Sequence, residues 1–193
     1  QVHQQLAKEN KKFMFSAIRK SARSRDYEEA IEWLVEAGLI YKNIHIRAPR
    51  LPLSTYCDND FFKIFMLDIG LLGAQSNLTE KTIIENSALF TEFKGALTEN
   101  YVAQELVAKQ QNLYYWTSTG TAELDFILES ERLVYPLEVK AGRTQKKKSL
   151  LSYETKYPGS VLSRSNLMNL KHDGKLYNFP LYLIARFPEL IKS

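Results

Sequence analysis

The stretch Glu123-Leu124-Asp125-Phe126-Ile127-Leu128-Glu129-Ser130-Glu131-Arg132-Leu133-Val134-Tyr135-Pro136-Leu137-Glu138-Val139-Lys140 decides how this chain is read. Glu123 to Leu128 and Leu133 to Lys140 both read as strands with a turn between them, because successive strand side chains alternate between faces. On that alternation Leu124, Phe126 and Leu128 bury one face of the first strand, while Glu123, Asp125 and Ile127 lie on the other. In the second strand Leu137 and Val139 share one face. Glu138 and Lys140 share the opposite face and stand side by side.

Two acids and a lysine on one sheet surface are suited to holding a divalent metal beside a phosphate. Carboxylate oxygens are hard ligands for magnesium or manganese, and a site with few of them leaves waters and phosphate oxygens to complete the octahedron. A lysine beside the metal neutralises charge building on phosphorus and orients or deprotonates the attacking water. The bland alternative is a hairpin whose surface acids are salt-bridged by a lysine. An apolar strand carrying its own acid at hairpin distance from Glu138 favours the metal site, and so a nuclease-type chemistry.

Upstream, residues 84–109 read as one long helix, broken near Gly95, with Leu89, Phe93, Ala96, Ala103 and Val107 on one stripe. Glu99 falls at the edge of that stripe, where a buried metal site can recruit a carboxylate; Glu92 lies on nearly the same flank and is its rival. Tyr114, Tyr115 and Trp116 form a strand pattern, with Tyr115 alone placed to face a substrate. Downstream, Arg143-Thr144-Gln145-Lys146-Lys147-Lys148 follows the acid-lysine strand directly. On the rim of the cleft, Arg143, Lys146, Lys147 and Lys148 would contact nucleic-acid phosphates and make binding steeply salt-dependent.

Residues 12–20 and 27–37 read as helices, the second starting after Asp26 as N-cap and ending before Gly38. Ala30, Ile31, Leu34 and Val35 follow helical spacing. Leu39 to Ile46 reads as a strand, so helix, helix, strand resembles a small winged-helix lobe. Arg19, Lys20, Arg23 and Arg25 crowd the turn between the helices. Glu28, Glu29, Glu32 and Glu36 on the second helix would repel phosphate, which points to a structural or docking lobe over a DNA reader. Pro49 and Pro52 make residues 48–60 an extended connection. Phe61 to Leu72 is expected as an apolar helix and 73–81 as a loop. Beyond Ser149 the expectations are a helix over 147–156, a short strand at 161–163, a turn at Asp173-Gly174, and strand or helix at 181–186.

In the matched positions the chain resembles the PD-(D/E)XK superfamily, the restriction-endonuclease-like phosphodiesterases and their inactive relatives. Glu99 matches the helical acid, Asp125 the first strand acid, and Glu138 with Lys140 the acid-x-lysine pair. The Gly95 to Asn100 run decides for Glu99 over Glu92. More closely, residues 6–185 look like the C-terminal module that follows the P-loop core in a family of bacterial and archaeal AAA-like ATPases. The runs that carry this are Pro52-Leu53-Ser54-Thr55-Tyr56 with residues 62–72, Lys94-Gly95-Ala96-Leu97-Thr98-Glu99-Asn100-Tyr101-Val102, Tyr114-Tyr115-Trp116, Glu123-Leu124-Asp125-Phe126 and Pro136-Leu137-Glu138-Val139-Lys140. The resemblance implies metal ligation by Glu99, Asp125 and Glu138, with Lys140 at the attacking water. Beside the absence of a leading methionine, it points to the C-terminal portion of a longer protein whose other part holds the ATPase.

Composition bounds the remainder. The chain has 193 residues, 45% hydrophobic and 12% aromatic, enough for one ample core or two small ones. Net charge is +4 with a pI near 9.0, which favours an anionic partner. One cysteine, Cys57, excludes an internal disulfide framework and a thiolate zinc cluster. His3, His45 and His172 show no ligand spacing. A reducing cytoplasm is expected, with no membrane span and no secretion signal. No G-x-x-x-x-G-K-[ST] loop occurs, so no P-loop ATP site is expected in this chain, and no G-x-S-x-G elbow supports a serine hydrolase.

The expected fold is α/β, with a winged-helix-like lobe and connecting helix over 1–78 and a restriction-endonuclease-like mixed sheet flanked by helices over 79–193. The expected function is metal-dependent hydrolysis of nucleic acid, with Mg2+ or Mn2+ as cofactor. The alternative is a non-catalytic module of the ATPase that binds DNA or protein. The expected partners are nucleic acid, the N-terminal ATPase domain of the same polypeptide and a second copy of the chain.

Overall fold

A computed structural model describes residues 27–79, 81, 88–143 and 146–191 of the chain. The expected helix at 12–20, the basic cluster from Arg19 to Arg25 and the Asp26 cap lie outside these residues. The coarse α/β expectation holds. Eight strands form one mixed sheet in the order β2-β1-β3-β4-β5-β6-β8-β7, and helices complete the described chain. The strands are β1 (Ile40–Ile46), β2 (Cys57–Met66), β3 (Tyr114–Thr117), β4 (Glu123–Ser130), β5 (Leu133–Val139), β6 (Leu162–Asn166), β7 (Lys171–Asp173) and β8 (Leu176–Pro180). The α-helices are α1 (Glu28–Glu36), α2 (Ile69–Gln75), α3 (Ala88–Ala108) and α4 (Lys148–Lys156). The chain divides into two compact, discontinuous units: Gln1–Lys42 with Phe61–Gln104, and Asn43–Asp60 with Glu105–Ser193.

In the first unit, α1 buries Ile31 with Leu34 and Val35 against Ile40, Phe62, Ile64, Met66 and Leu72. Tyr27 stands at its N-cap without a side-chain cap bond. Gly38, at φ 68°, ends the helix: its N–H donates to the Val35 carbonyl and that of Leu39 to Leu34, a Schellman closure that favours a residue without Cβ. The apolar helix expected over 61–72 is corrected. Residues 57–66 are strand β2, and the helix begins only at Ile69, where Asp68 caps it by accepting from the Leu71 N–H at 2.7 Å. Five consecutive buried residues, Phe62 to Met66, give no period to read, and their aromatic and β-branched content suits a strand. Ahead of β2, the expected extended connection contains a 3-10 turn at Leu53–Tyr56.

The long helix α3 is unbroken at Gly95. Its buried residues Ala96, Asn100, Val102, Ala103 and Leu106 include a polar one. Asn100 Oδ1 accepts from the Met66 N–H at 2.8 Å and its Nδ2 donates to the Met66 carbonyl at 3.1 Å, so the amide takes the place of a neighbouring strand.

The second unit holds the β4–β5 hairpin, joined by Glu131 and Arg132 at φ 49° and 64°. A two-residue loop with both φ positive matches the right-handed twist of the strands. Against β3, Tyr114 opposes Ile127 and Trp116 opposes Leu124, so β4 bulges by one residue between these pairs. The bulge corrects the expected alternation: Ile127 shares the core of Leu124, with Tyr114, Trp116, Leu150, Tyr153 and Leu162, instead of facing away from it. Trp116 meets Tyr153 of α4 edge-on at 5.2 Å. Tyr115, expected to face a substrate, is buried and lies against His45, with ring centroids 5.1 Å apart. The undecided segment Leu181–Arg186 is a 3-10 helix. Among the described residues no helix is long and apolar enough to cross a membrane.

Candidate active site

The hairpin carries the site. Its ladder runs from Ser130 opposite Leu133 to Phe126 opposite Leu137, and one step further the same register sets Asp125 opposite Glu138. The two acids therefore lie near each other at the end of the hairpin, close enough for the Asp125 charge to act on Glu138. Asp125 is held from two sides. Its Oδ2 accepts from the Val139 N–H at 2.7 Å, and its backbone carbonyl accepts from Asn43 Nδ2 at 2.9 Å. Asn43 is fully buried on β1, so the bulged segment is tied across β3 as well as to β5.

Glu138 is 3% exposed. Lys140 Nζ lies 3.1 Å from its Oε1, which places acid and lysine side by side as the spacing implied. The other oxygen, Oε2, is buried with no hydrogen-bond partner among the described residues. Burial pushes the Glu138 carboxyl above the ordinary glutamate range. Lys140 opposes that through its charge and hydrogen bond; the Asp125 charge pushes further up, and Arg164 pulls down. A buried carboxylate with an unmade bond is costly unless it is protonated or meets a positive group.

A divalent cation fits this donor set. The orphaned Oε2 is an acceptor beside a second carboxylate, and magnesium is held by one or two protein carboxylates with waters and phosphate filling its other positions. Among the described residues no group of three or more His, Cys, Asp or Glu side chains is gathered to hold a metal ion. Asp125, Glu138 and Lys140 are thus brought together. Glu99 stands on α3 in the first unit, with Oε2 3.8 Å from the ammonium of Lys63, whose side chain is 6% exposed. The side chain of Glu92 is outside the described residues.

Of the basic run, Arg143, Lys146, Lys147 and Lys148 are exposed, and Lys148 opens α4. Thr144 and Gln145 lie outside the described residues. Three residues of the site escaped the sequence reading: Asn43, Arg164 and Asn178. Arg164 pairs in register with Glu138 on one side and Asn178 on the other, so Glu138, Arg164 and Asn178 form a polar row across β5, β6 and β8. The signal was present in Ser163-Arg164-Ser165-Asn166, a polar run where a buried strand was needed, but it carries no apolar period.

Fold and site define an α/β chain that joins an acid pair and a lysine at the end of one hairpin. Residues 94–182 match a domain of unknown function (DUF4143), and residues 2–82 match a second domain of unknown function (DUF8612). The first match contains Asp125, Glu138, Lys140 and Arg164. No curated protein matches the chain. Among solved structures, the crystal structure of protein VC1899 from Vibrio cholerae is similar at 13% identity and a TM-score of 0.31, over 98% of this chain and 48% of that one. The chain thus spans about half the length of that structure.

Proposed function

We propose that this chain is a divalent-cation-dependent phosphodiesterase acting on nucleic acid, built on a restriction-endonuclease-like domain. Asp125 and Glu138 hold the cation and Lys140 serves the attacking water. One observation carries this reading: among the described residues buried Glu138 Oε2 has no hydrogen-bond partner, with the Asp125 charge acting on it and an ammonium 3.1 Å from Oε1. Magnesium or manganese bound there would polarise a phosphate oxygen and acidify a water. The chain's own residues do the rest. The Val139 N–H fixes one oxygen of Asp125, so the carboxylate is aimed before any ligand arrives. Lys140, with a side chain 36% exposed against 4% for Glu138, reaches toward solvent while neutralising its partner. Its ammonium is placed to donate to a phosphate oxygen or to hold the water that attacks it.

The ordered runs shared with the ATPase-associated module support a place beside a P-loop ATPase in one polypeptide, with the N-terminal segment as a winged-helix-like docking lobe. The exposed run Arg143, Lys146, Lys147 and Lys148 suits the phosphates flanking the cut. Purified protein is assayed on plasmid DNA, linear DNA and RNA with magnesium, manganese or EDTA. The expected outcome is cation-dependent cleavage abolished by Asp125→Ala and by Lys140→Ala. Cleavage unchanged in both variants refutes it. Cation-independent binding without cleavage assigns the chain to the non-catalytic alternative.

A further inference from the structure

Arg164 is a charged residue buried in the middle of a sheet, 5% exposed, and its restraints are unequal. Its Nε donates to Asn178 Oδ1 at 3.2 Å and its Nη1 to the Lys146 carbonyl at 3.4 Å, a long contact. Nη2 makes no hydrogen bond to a described residue. Asn178 itself cannot turn: its Nδ2 donates to the Asn169 carbonyl at 2.9 Å and to that of Met168 at 3.4 Å, which fixes Oδ1 toward Arg164. The guanidinium is therefore held through Nε and Nη1, and Nη2 is the nitrogen left to donate elsewhere. In-register pairing with Glu138 sets it on the sheet face of the acid pair, one strand spacing of about 4.8 Å away. Its reach to the Lys146 carbonyl ties that face to the basic run.

Nη2 is not among the buried unpaired atoms, so the small exposed part of Arg164 includes a donor that a ligand oxygen can reach. No carboxylate of a described residue lies in ion-pair contact with Arg164. A fixed guanidinium plane with Nη2 unspent is instead suited to donate a charge-assisted hydrogen bond to a phosphate oxygen. We propose that Arg164, oriented by Asn178, binds the phosphate group of the substrate beside the Asp125–Glu138 pair. This assignment rests on the reading of that pair as a cation site and adds the group that holds the anion. Arg164 touches substrate; Asn178 is a positioning residue.

The full chain is titrated separately with inorganic phosphate, followed by phosphorus NMR line broadening, and with manganese, followed by calorimetry. Circular dichroism monitors the fold of each variant. In R164Q, phosphate affinity is expected to fall at least tenfold while manganese affinity holds or rises, since a like charge has left the carboxylate pair. In N178L, the charge remains but its aim is lost, and phosphate affinity is expected to fall several-fold; R164K recovers part of the binding lost in R164Q. If R164Q fails to fold, N178L and R164K decide. Phosphate affinity within twofold of wild type in the folded variants overturns the assignment, as does wild-type protein that binds manganese but no phosphate. Protein that binds phosphate through Arg164 yet takes up no manganese keeps the anion site and removes the cation reading.

Discussion

Replacing Asp125 by asparagine or by alanine separates what this residue does for the fold from what it does for chemistry. Its Oδ2 accepts from the buried Val139 N–H at 2.7 Å, a bond to a charged acceptor of the kind worth about 1.5–3 kcal/mol. Alanine removes the acceptor and strands the N–H, while relieving some repulsion with Glu138, for a net loss of about 2–3 kcal/mol. For a chain of this length each kcal/mol moves the melting temperature by about 2–4 °C, so Asp125→Ala is expected to melt roughly 4–12 °C lower. Asparagine keeps an acceptor oxygen in place and loses only the charge; relief of the like-charge contact offsets part of the weaker bond. Asp125→Asn should then stay within about 1 kcal/mol of wild type. Both variants lose the anionic ligand, so manganese binding by calorimetry falls at least tenfold in each. Asp125→Asn as unstable as Asp125→Ala would show that the hydrogen bond is not the source of the loss. Asparagine protein with wild-type manganese affinity would show that the carboxylate is not a ligand.

Because the Glu138 carboxyl lies above the ordinary range, the native state binds more protons than the unfolded chain between the ordinary glutamate value and the raised one. Wild-type stability is therefore expected to fall as pH rises through that window, and Glu138→Gln to lose that part of the slope; urea unfolding across the window for both proteins checks it. Manganese competes with the same proton, so its affinity should rise with pH through a midpoint above the ordinary glutamate range, shifted higher still in Lys140→Met, as read by calorimetry. Asn100→Leu leaves both Met66 backbone groups unpaired and is expected to cost about 2–5 kcal/mol in denaturant unfolding, with manganese affinity unchanged. Arg132→Gly relieves a positive-φ position in an exposed turn and should stabilise the hairpin by about 1 kcal/mol in the same assay. Replacing Lys146, Lys147 and Lys148 together by glutamine should lower the slope of log affinity against log salt for duplex DNA by about 2–3, measured by fluorescence anisotropy.

The hairpin was legible because two alternating strands enclosed a short polar turn, and Glu138 and Lys140 could be placed side by side from spacing alone. The β4 bulge was not: it depends on how Trp116 and Tyr114 seat against the partner strand, and it moved Ile127 into the core of Leu124. Strand β2 was hidden for a different reason. Phe62 to Met66 is buried at every position, Lys63 included, and a run buried on both faces shows neither a helical nor a strand period. Arg164 and Asn178 were invisible as a pair because fourteen residues and the β7 excursion separate them, while register sets them side by side. Helical spacing sets Glu99 and Glu92 on nearly the same flank and the Gly95 to Asn100 resemblance selects Glu99, but neither signal points to Lys63, the cation it lies near on another element.

The most direct test is the anomalous scattering of manganese in crystals of the wild-type chain. One peak within bonding distance of the Asp125 and Glu138 carboxylates is expected, lost in Asp125→Asn. Manganese bound elsewhere, or no peak at a concentration that supports cleavage, would contradict the assignment of this acid pair as the cation site.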